Sequence, residues 1–227
     1  MPAMDVRKGK GTEGSRTLPG GWPDALLGIG EVRSYMRREA LHERGDAPDH
    51  IHLILFGKVL RVYVPPNGPE TILDVYGRGD LVGVTAFLDG ANHPDTARAH
   101  TRVNALVIPN HRFLSFVERN TEAGFLLRTQ IGRRIRHDAA RTASLAVDRV
   151  ESRIRLLLWD LARRYGVVGD VRGTLLDLGL TRRELASLAG TALETVIRTV
   201  ARLTEQGLLV HEGRRFFIPD VDALRPC

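Results

Sequence analysis

The chain has 227 residues, 43% apolar and 26% charged, and a net charge of +6 from 33 Lys and Arg against 27 Asp and Glu. That length suits two domains of roughly 100–150 residues; no apolar run approaches the roughly 18 residues of a membrane span, and the basic balance invites an acidic partner such as nucleic acid. The one cysteine, Cys227, excludes a disulfide, a cysteine-held iron–sulfur cluster and a thiolate zinc cage within one chain, and with no secretory signal the expected compartment is the cytoplasm.

Residues 1–20 carry Gly, Pro and charge without apolar periodicity and are expected to form a mobile tail. Residues 21–109 hold short apolar runs punctuated by turn residues. The run 51–56 stops at Gly57, 59–64 at Pro65-Pro66-Asn67-Gly68, 71–76 at Gly77, 81–82 at Gly83 and 103–108 at Pro109. Short strands at this spacing predict a double-sheet, jelly-roll-like β-barrel whose interior can take a small ligand.

Helices take over in 110–148. The first, 111–119, turns Phe113, Phe116 and Val117 inward, and a long proline-free stretch follows over 121–147. Leu127, Ile131 and Ile135 recur there at four-residue spacing, with Leu145 further along the same general face. Such a stripe must bury against something. It either packs on its own barrel or pairs with the same helix of a second subunit, and the homodimer is the favoured reading.

Residues 149–227 open with a helix over 150–165, with Ile154, Leu157, Leu158 and Leu161 inward. The most informative stretch is 180–209. Thr181-Arg182-Arg183-Glu184 is a capping box, in which the hydroxyl caps one free amide and the glutamate reaches back to another. Thr191-Ala192-Leu193-Glu194 repeats the pattern ten residues on, and Gly190 between them suits the tight turn joining two crossed helices. Leu185, Leu188 and Ala189 give the first helix a buried side; Val196, Val200 and Leu203 do the same for the second, and Gln206-Gly207 ends it. The pattern is that of a helix-turn-helix. A β-hairpin wing is expected over 208–218, with Arg214 and Arg215 at its tip near phosphates.

On the second helix Glu194 and Arg198 share a face that the buried valines do not occupy. Arginine reads guanine bidentately and glutamate accepts from the exocyclic amine of cytosine. The plain alternative is a solvated i, i+4 pair, yet the first exposed turns of a second helix are where base edges are met. Thr181, Arg182, Thr191, Leu193, Thr195, Ile197 and Arg202 complete the expected DNA-facing set, and the fold class is α+β.

The order barrel, long helix, winged helix-turn-helix resembles the Crp/Fnr family over about residues 30–220. Gly79-Asp80-Leu81-Val82-Gly83 looks like the family's barrel turn, and Thr181 to Ala186 with Glu194 to Arg198 looks like its helix-turn-helix signature. The resemblance implies base-reading roles for Glu194 and Arg198, an expected partner in RNA polymerase, and a palindromic operator. A further arginine that the family's cyclic-AMP receptor carries before the glutamate is Leu193 here. The cyclic-AMP site departs more. Val84 stands where the family has a glutamate, 90–95 lacks its Arg-Ser pair, and Asp138-Ala139 replaces the Thr-Ser pair that contacts adenine. Gly83, Val84, Thr85, His93 and Asp138 are therefore the expected effector pocket, and cyclic AMP is not expected to bind in the usual mode.

No cofactor and no metal are expected. His42, His50, His52, His93 and His100 lie in the barrel region, so haem stays open as an alternative sensor, beside a dimer that needs no ligand at all. A cupin-like metalloenzyme could use His50 and His52, which share one face of a strand. The carboxylate it would need nearby is missing in 53–58, so the set is incomplete and no enzyme is expected.

Overall fold

A computed structural model describes residues 17–225; the proposed tail up to residue 16, and Cys227, lie outside them. Residues 17–20, expected to belong to the tail, are part of the fold. Thr17 bridges Pro23, Leu18 packs on the core and Gly20 sits against the backbone of Gly79.

Among the described residues two four-stranded antiparallel sheets build the N-terminal body. One has the order β1 (Glu31–Tyr35), β8 (Val103–Pro109), β3 (His50–Phe56), β6 (Leu81–Val82); the other β2 (Ala40–His42), β7 (Thr96–Ala99), β4 (Val59–Tyr63), β5 (Thr71–Tyr76). A short helix α1 (Val84–Asp89) follows β6. The run 51–56 lacks alternation because β3 is covered on both faces. Ile54 meets Val59, Val82 and Val103 between the sheets, while Ile51 and Leu53 meet Trp22, Phe113 and Leu127 on the outside. Each such fully buried side chain contributes ~1.5–3 kcal/mol. β1, β2 and β7 escape the sequence reading because they are short and, in β1, exposed at four of five positions.

α2 (Asn110–Arg119) and α3 (Thr121–Val147) cross the outer face of the first sheet. The Asn120 side chain caps α3 by accepting from the Ala123 amide at 2.9 Å, and the helix then runs 27 residues, about 40 Å. Its apolar stripe divides. Leu127 is buried in its own barrel and Ile131 packs against it, whereas Ile135 is 63% and Leu145 46% exposed.

The C-terminal body comprises α4 (Val150–Tyr165), β9 (Val167–Asp170), β10 (Gly173–Leu176), α5 (Arg182–Ala189), α6 (Leu193–Glu205), β11 (Val210–Glu212) and β12 (Arg215–Ile218), with sheet order β11-β12-β10-β9. β9 and β10 are additions to the sequence reading. This body does not hang free. Leu60, Val62, Ile72 and Val75 of the barrel share one continuous core with α4, α5 and α6.

Candidate DNA interface and effector cleft

α5 begins as its sequence dictates. The Thr181 hydroxyl accepts from the Glu184 amide at 3.1 Å, and Glu184 Oε2 accepts from the Thr181 amide at 2.7 Å and from its hydroxyl at 2.9 Å. α5 ends at Gly190, whose φ of 61° is left-handed. The Gly190 amide donates to Ser187 O at 3.2 Å and the Thr191 amide to Ala186 O at 3.0 Å, the paired bonds of a Schellman motif. This overturns the second capping box. Thr191 is engaged in closing α5, the N-cap of α6 is Ala192, and no side chain caps it.

α6 buries Val196, Thr199, Val200 and Leu203 and exposes Glu194, Ile197, Arg198 and Arg202, so one face is committed to the core and the other to solvent. Leu193, Thr191 and Thr195 are half-buried. Arg202 pairs with Glu151 of α4 at 2.5 Å. Arg182 lies on the ring of Phe216 at 4.6 Å, so its guanidinium braces the wing strand. At the wing, Gly213 takes φ 60°, Arg214 reaches Gly179 O at 3.4 Å, and Arg215 pairs with Asp177 at 2.9 Å. Two residues missed from the sequence hold the helix-turn-helix turn. Arg153 donates to the carbonyls of Ala189 and Gly190 at 3.2 and 3.0 Å, and Arg141 donates to Leu188 O at 2.8 Å and to Ile72 O of β5 at 3.2 Å. Neither carries a local motif that could have flagged it.

Gly83, Val84, Thr85, His93 and Asp138 all line one cleft of about 1230 Å³ between the barrel and α3. An arginine does stand in this cleft, which the linear reading overlooked. Arg61 of β4 pairs with Asp95 at 2.5 Å and with Asp138 at 3.3 Å, and Asp138 also pairs with Arg134 at 3.2 Å. Arg134 in turn bonds the Tyr76 hydroxyl. Burial pushes the Asp138 carboxyl up, but the His137 imidazole 3.7 Å away and the two guanidiniums outweigh it and hold the group well below the usual carboxylate range. The arginine is thus already matched by two carboxylates.

Behind the cleft, charged groups join three elements. Buried Asp74 of β5 accepts from Arg164 of α4 at 2.9 Å, and His137 of α3 lies 3.3 Å from Asp160 of α4. The carboxylates of Asp138 and Asp160, 3.7 and 3.3 Å from its ring nitrogens, push the His137 imidazole up to about 9 against the opposing effect of burial. The Ile72 amide donates to Ser187 Oγ of α5 at 2.8 Å.

Of the barrel histidines, His100 faces Glu184 at 3.6 Å, His42 and His93 stack at 3.6 Å between ring centroids, and His52 Nε2 lies 3.1 Å from the Tyr35 hydroxyl. Burial lowers both His42 and His52 to about 3.

Residues 32–120 match the model of the cyclic nucleotide-binding domain and 152–227 that of the Crp-like helix-turn-helix domain. The CRP-like cAMP-activated global transcriptional regulator of Mycobacterium tuberculosis (strain ATCC 25618 / H37Rv) is 28% identical over 192 residues, 84% of each chain. The cAMP-activated global transcriptional regulator CRP of Salmonella typhimurium is 24% identical over 188 residues, 82% of this chain and 89% of that one. Among solved structures, FixK2 from Bradyrhizobium japonicum superposes with a TM-score of 0.75 at 19% identity, covering 86% of this chain and 96% of the other. A CooA mutant from Carboxydothermus hydrogenoformans gives 0.72 at 19% identity over 89% of both. These two likenesses carry the fold alone. The relatives are regulators, not enzymes, and among the described residues no helix is long and apolar enough to cross a membrane.

Proposed function

The chain belongs to the Crp/Fnr family of DNA-binding transcription regulators, and from that premise we propose that it acts in the cytoplasm as a homodimer that binds a palindromic operator without cyclic AMP. Two recognition helices α6 would enter successive major grooves about 34 Å apart. The observation that carries the base-reading role is the division of α6, which leaves Glu194, Ile197 and Arg198 bare on the face opposite its core. Arg198 reads guanine and Glu194 the amine of cytosine. Arg214 is the arginine best placed for phosphate, since it gives up only a 3.4 Å contact to the Gly179 carbonyl, whereas Arg182, Arg202 and Arg215 would have to release a ring or a carboxylate. Thr181 would reach phosphate only through a hydroxyl that already serves the cap.

Exposed Ile135 and Leu145 support α3 as the seam with a second subunit, a narrower seam than the four-residue stripe because Leu127 is used at home. Cyclic-AMP independence rests on Arg61. A cyclic phosphate must displace Asp95 and Asp138 from it, and Val84 offers the ribose no carboxylate. RNA polymerase is the partner that family membership suggests.

Fluorescence anisotropy with a labelled palindromic duplex tests the reading, first without ligand and then with excess cyclic AMP. Sequence-selective binding unchanged by the nucleotide is expected, and binding that needs cyclic AMP refutes independence. Arg198→Ala should lose about 1–3 kcal/mol and relax specificity at one base pair per half-site; equal weakening on every sequence would remove its reading role.

A further inference from the structure

We propose that Ile197 reads the 5-methyl group of a thymine in each half of the operator, beside the guanine–cytosine pair assigned to Arg198 and Glu194. This role presupposes that α6 is the base-reading helix, and it adds which base feature the apolar side of that helix accepts. Core packing fixes how α6 faces outward. Val196, Thr199, Val200 and Leu203 are buried, and the surface opposite them is itself divided. Residues four apart form rows along a helix. Glu194, Arg198 and Arg202 make one row, charged throughout; Leu193, Ile197 and Ala201 make the next, apolar throughout. Leu193 is half-buried and Ala201 offers a single methyl, so Ile197 is the apolar side chain that this face presents. It is 52% exposed, and among the described residues no other large apolar side chain of α5 or α6 is exposed.

Nothing within the chain accounts for an isoleucine at this position. Half of it meets water, and a β-branched residue is a weaker helix former than alanine or leucine. The same properties suit a contact made on binding. The χ1 angle of a helical isoleucine is nearly fixed, so little freedom is lost when the side chain is covered. Helical side chains lean toward the N-terminus, which carries Ile197 over the turn of Glu194, and the first turns of a recognition helix are where base edges are met. Along the axis Ile197 stands about 1.5 Å from Arg198 and about 4.5 Å from Glu194. Base pairs rise by about 3.4 Å, so Ile197 meets the pair that those two residues read or the one next to it. The apolar feature that a base edge offers in the major groove is the thymine methyl.

The test uses the full-length protein and the palindromic duplex that it selects from a pool of random half-sites. Thymines are replaced one position at a time, in both half-sites, by deoxyuridine, which pairs alike and lacks only the methyl, and anisotropy gives each Kd. One thymine per half-site, next to the guanine–cytosine pair whose exchange Arg198→Ala tolerates, should weaken binding about fourfold per half-site and roughly fifteenfold over both, the effect of covering one methyl. Ile197→Ala should bind the thymine and deoxyuridine duplexes alike, and Ile197→Val, which keeps the branch, should retain part of the difference. The side chain is exposed, so both variants should melt as the wild type does by circular dichroism. Selective binding that no deoxyuridine weakens, or a difference that survives in Ile197→Ala, overturns the proposal and leaves Arg198 as a reader of guanine. Equal weakening of both duplexes by Ile197→Ala also overturns it, and assigns the side chain to packing on the sugar–phosphate backbone. If the wild type selects no sequence at all, the base-reading role of α6 falls first and takes this one with it.

Discussion

At the recognition end, the bonds that cap and close α5 join near neighbours, Thr181 with Glu184, Gly190 with Ser187 and Thr191 with Ala186, and only the braces from Arg153 and Arg141 reach in from 36 to 47 residues away. Across the effector cleft, bonds of similar length join strangers in sequence. Arg61 meets Asp138 77 residues away, Arg164 meets Asp74 at 90, and Ile72 meets Ser187 at 115. The first region can form its cap and its closing turn whenever its own helices form, with Arg141 and Arg153 bracing the turn from outside. The second exists only when barrel, long helix and C-terminal body are already docked. The bonds of the cleft thus mark the docking of the three parts.

The sharpest way to break this contrast is Asp74→Ala. Asp74 is 4% exposed and serves Arg164 at 2.9 Å, Arg134 at 3.9 Å and the Val75 amide at 2.7 Å. Its removal takes one carboxylate from Arg164 and Arg134, which keep Asp160 and Asp138, and leaves the buried strand β5 without this anchor. A loss of about 2 kcal/mol is expected, short of the roughly 3–5 kcal/mol of a buried charge left alone. Urea unfolding of full-length protein should show a loss of that order. A loss under about 1 kcal/mol would mean that apolar packing alone holds α4 on β5.

This contrast also explains what was legible in the sequence. The helix-turn-helix was readable because capping residues, a left-handed glycine and the 3.6-residue spacing of Val196, Val200 and Leu203 are local signals. The one local misreading, Thr191 as a cap, arose because a Schellman closure and an N-cap compete for the same short turn. Gly83, Val84, Thr85, His93 and Asp138, expected together from the resemblance, line one cleft. What they lacked was Arg61. On β4 it reads as an ordinary polar residue among Val59, Leu60 and Val62, and a bulge between Arg61 and Val62 breaks the alternation that would place it. Its partners Asp95 and Asp138 lie 34 and 77 residues off. Nothing in a linear pattern joins them.

A second test probes the long-range region through pH. Folded His137 keeps its proton up to about 9, whereas an unfolded histidine releases it near 6.5. Its contribution is therefore whole below about pH 6.5 and lost as pH rises through about 9, with a magnitude of roughly 2–3 kcal/mol. The melting temperature should fall across that window in the wild-type chain. In His137→Gln the same window should be flatter. Equal slopes in the two proteins would show that this imidazole does not join α3 to α4.

The smallest expected effect sharpens the comparison most cleanly, because it sets two threonines of the same region against each other. The Thr181 hydroxyl accepts from the Glu184 amide and donates to Glu184 Oε2, so Thr181→Ala removes a side-chain cap while leaving the core of α5 in place. A lost cap costs about 1 kcal/mol. Thr191 contributes to the turn through its backbone amide, which alanine retains, and its side chain caps nothing on α6. Thr191→Ala should accordingly stay within about 0.5 kcal/mol of the wild type. Denaturant midpoints of the two variants, measured side by side, decide the matter. If both cost the same, the helix-turn-helix is held by something other than its local bonds, and the division between a locally encoded end and a docked end fails. If only Thr181→Ala yields, and does so without changing the pH response that His137 governs, the two regions are separate in energy as well as in sequence.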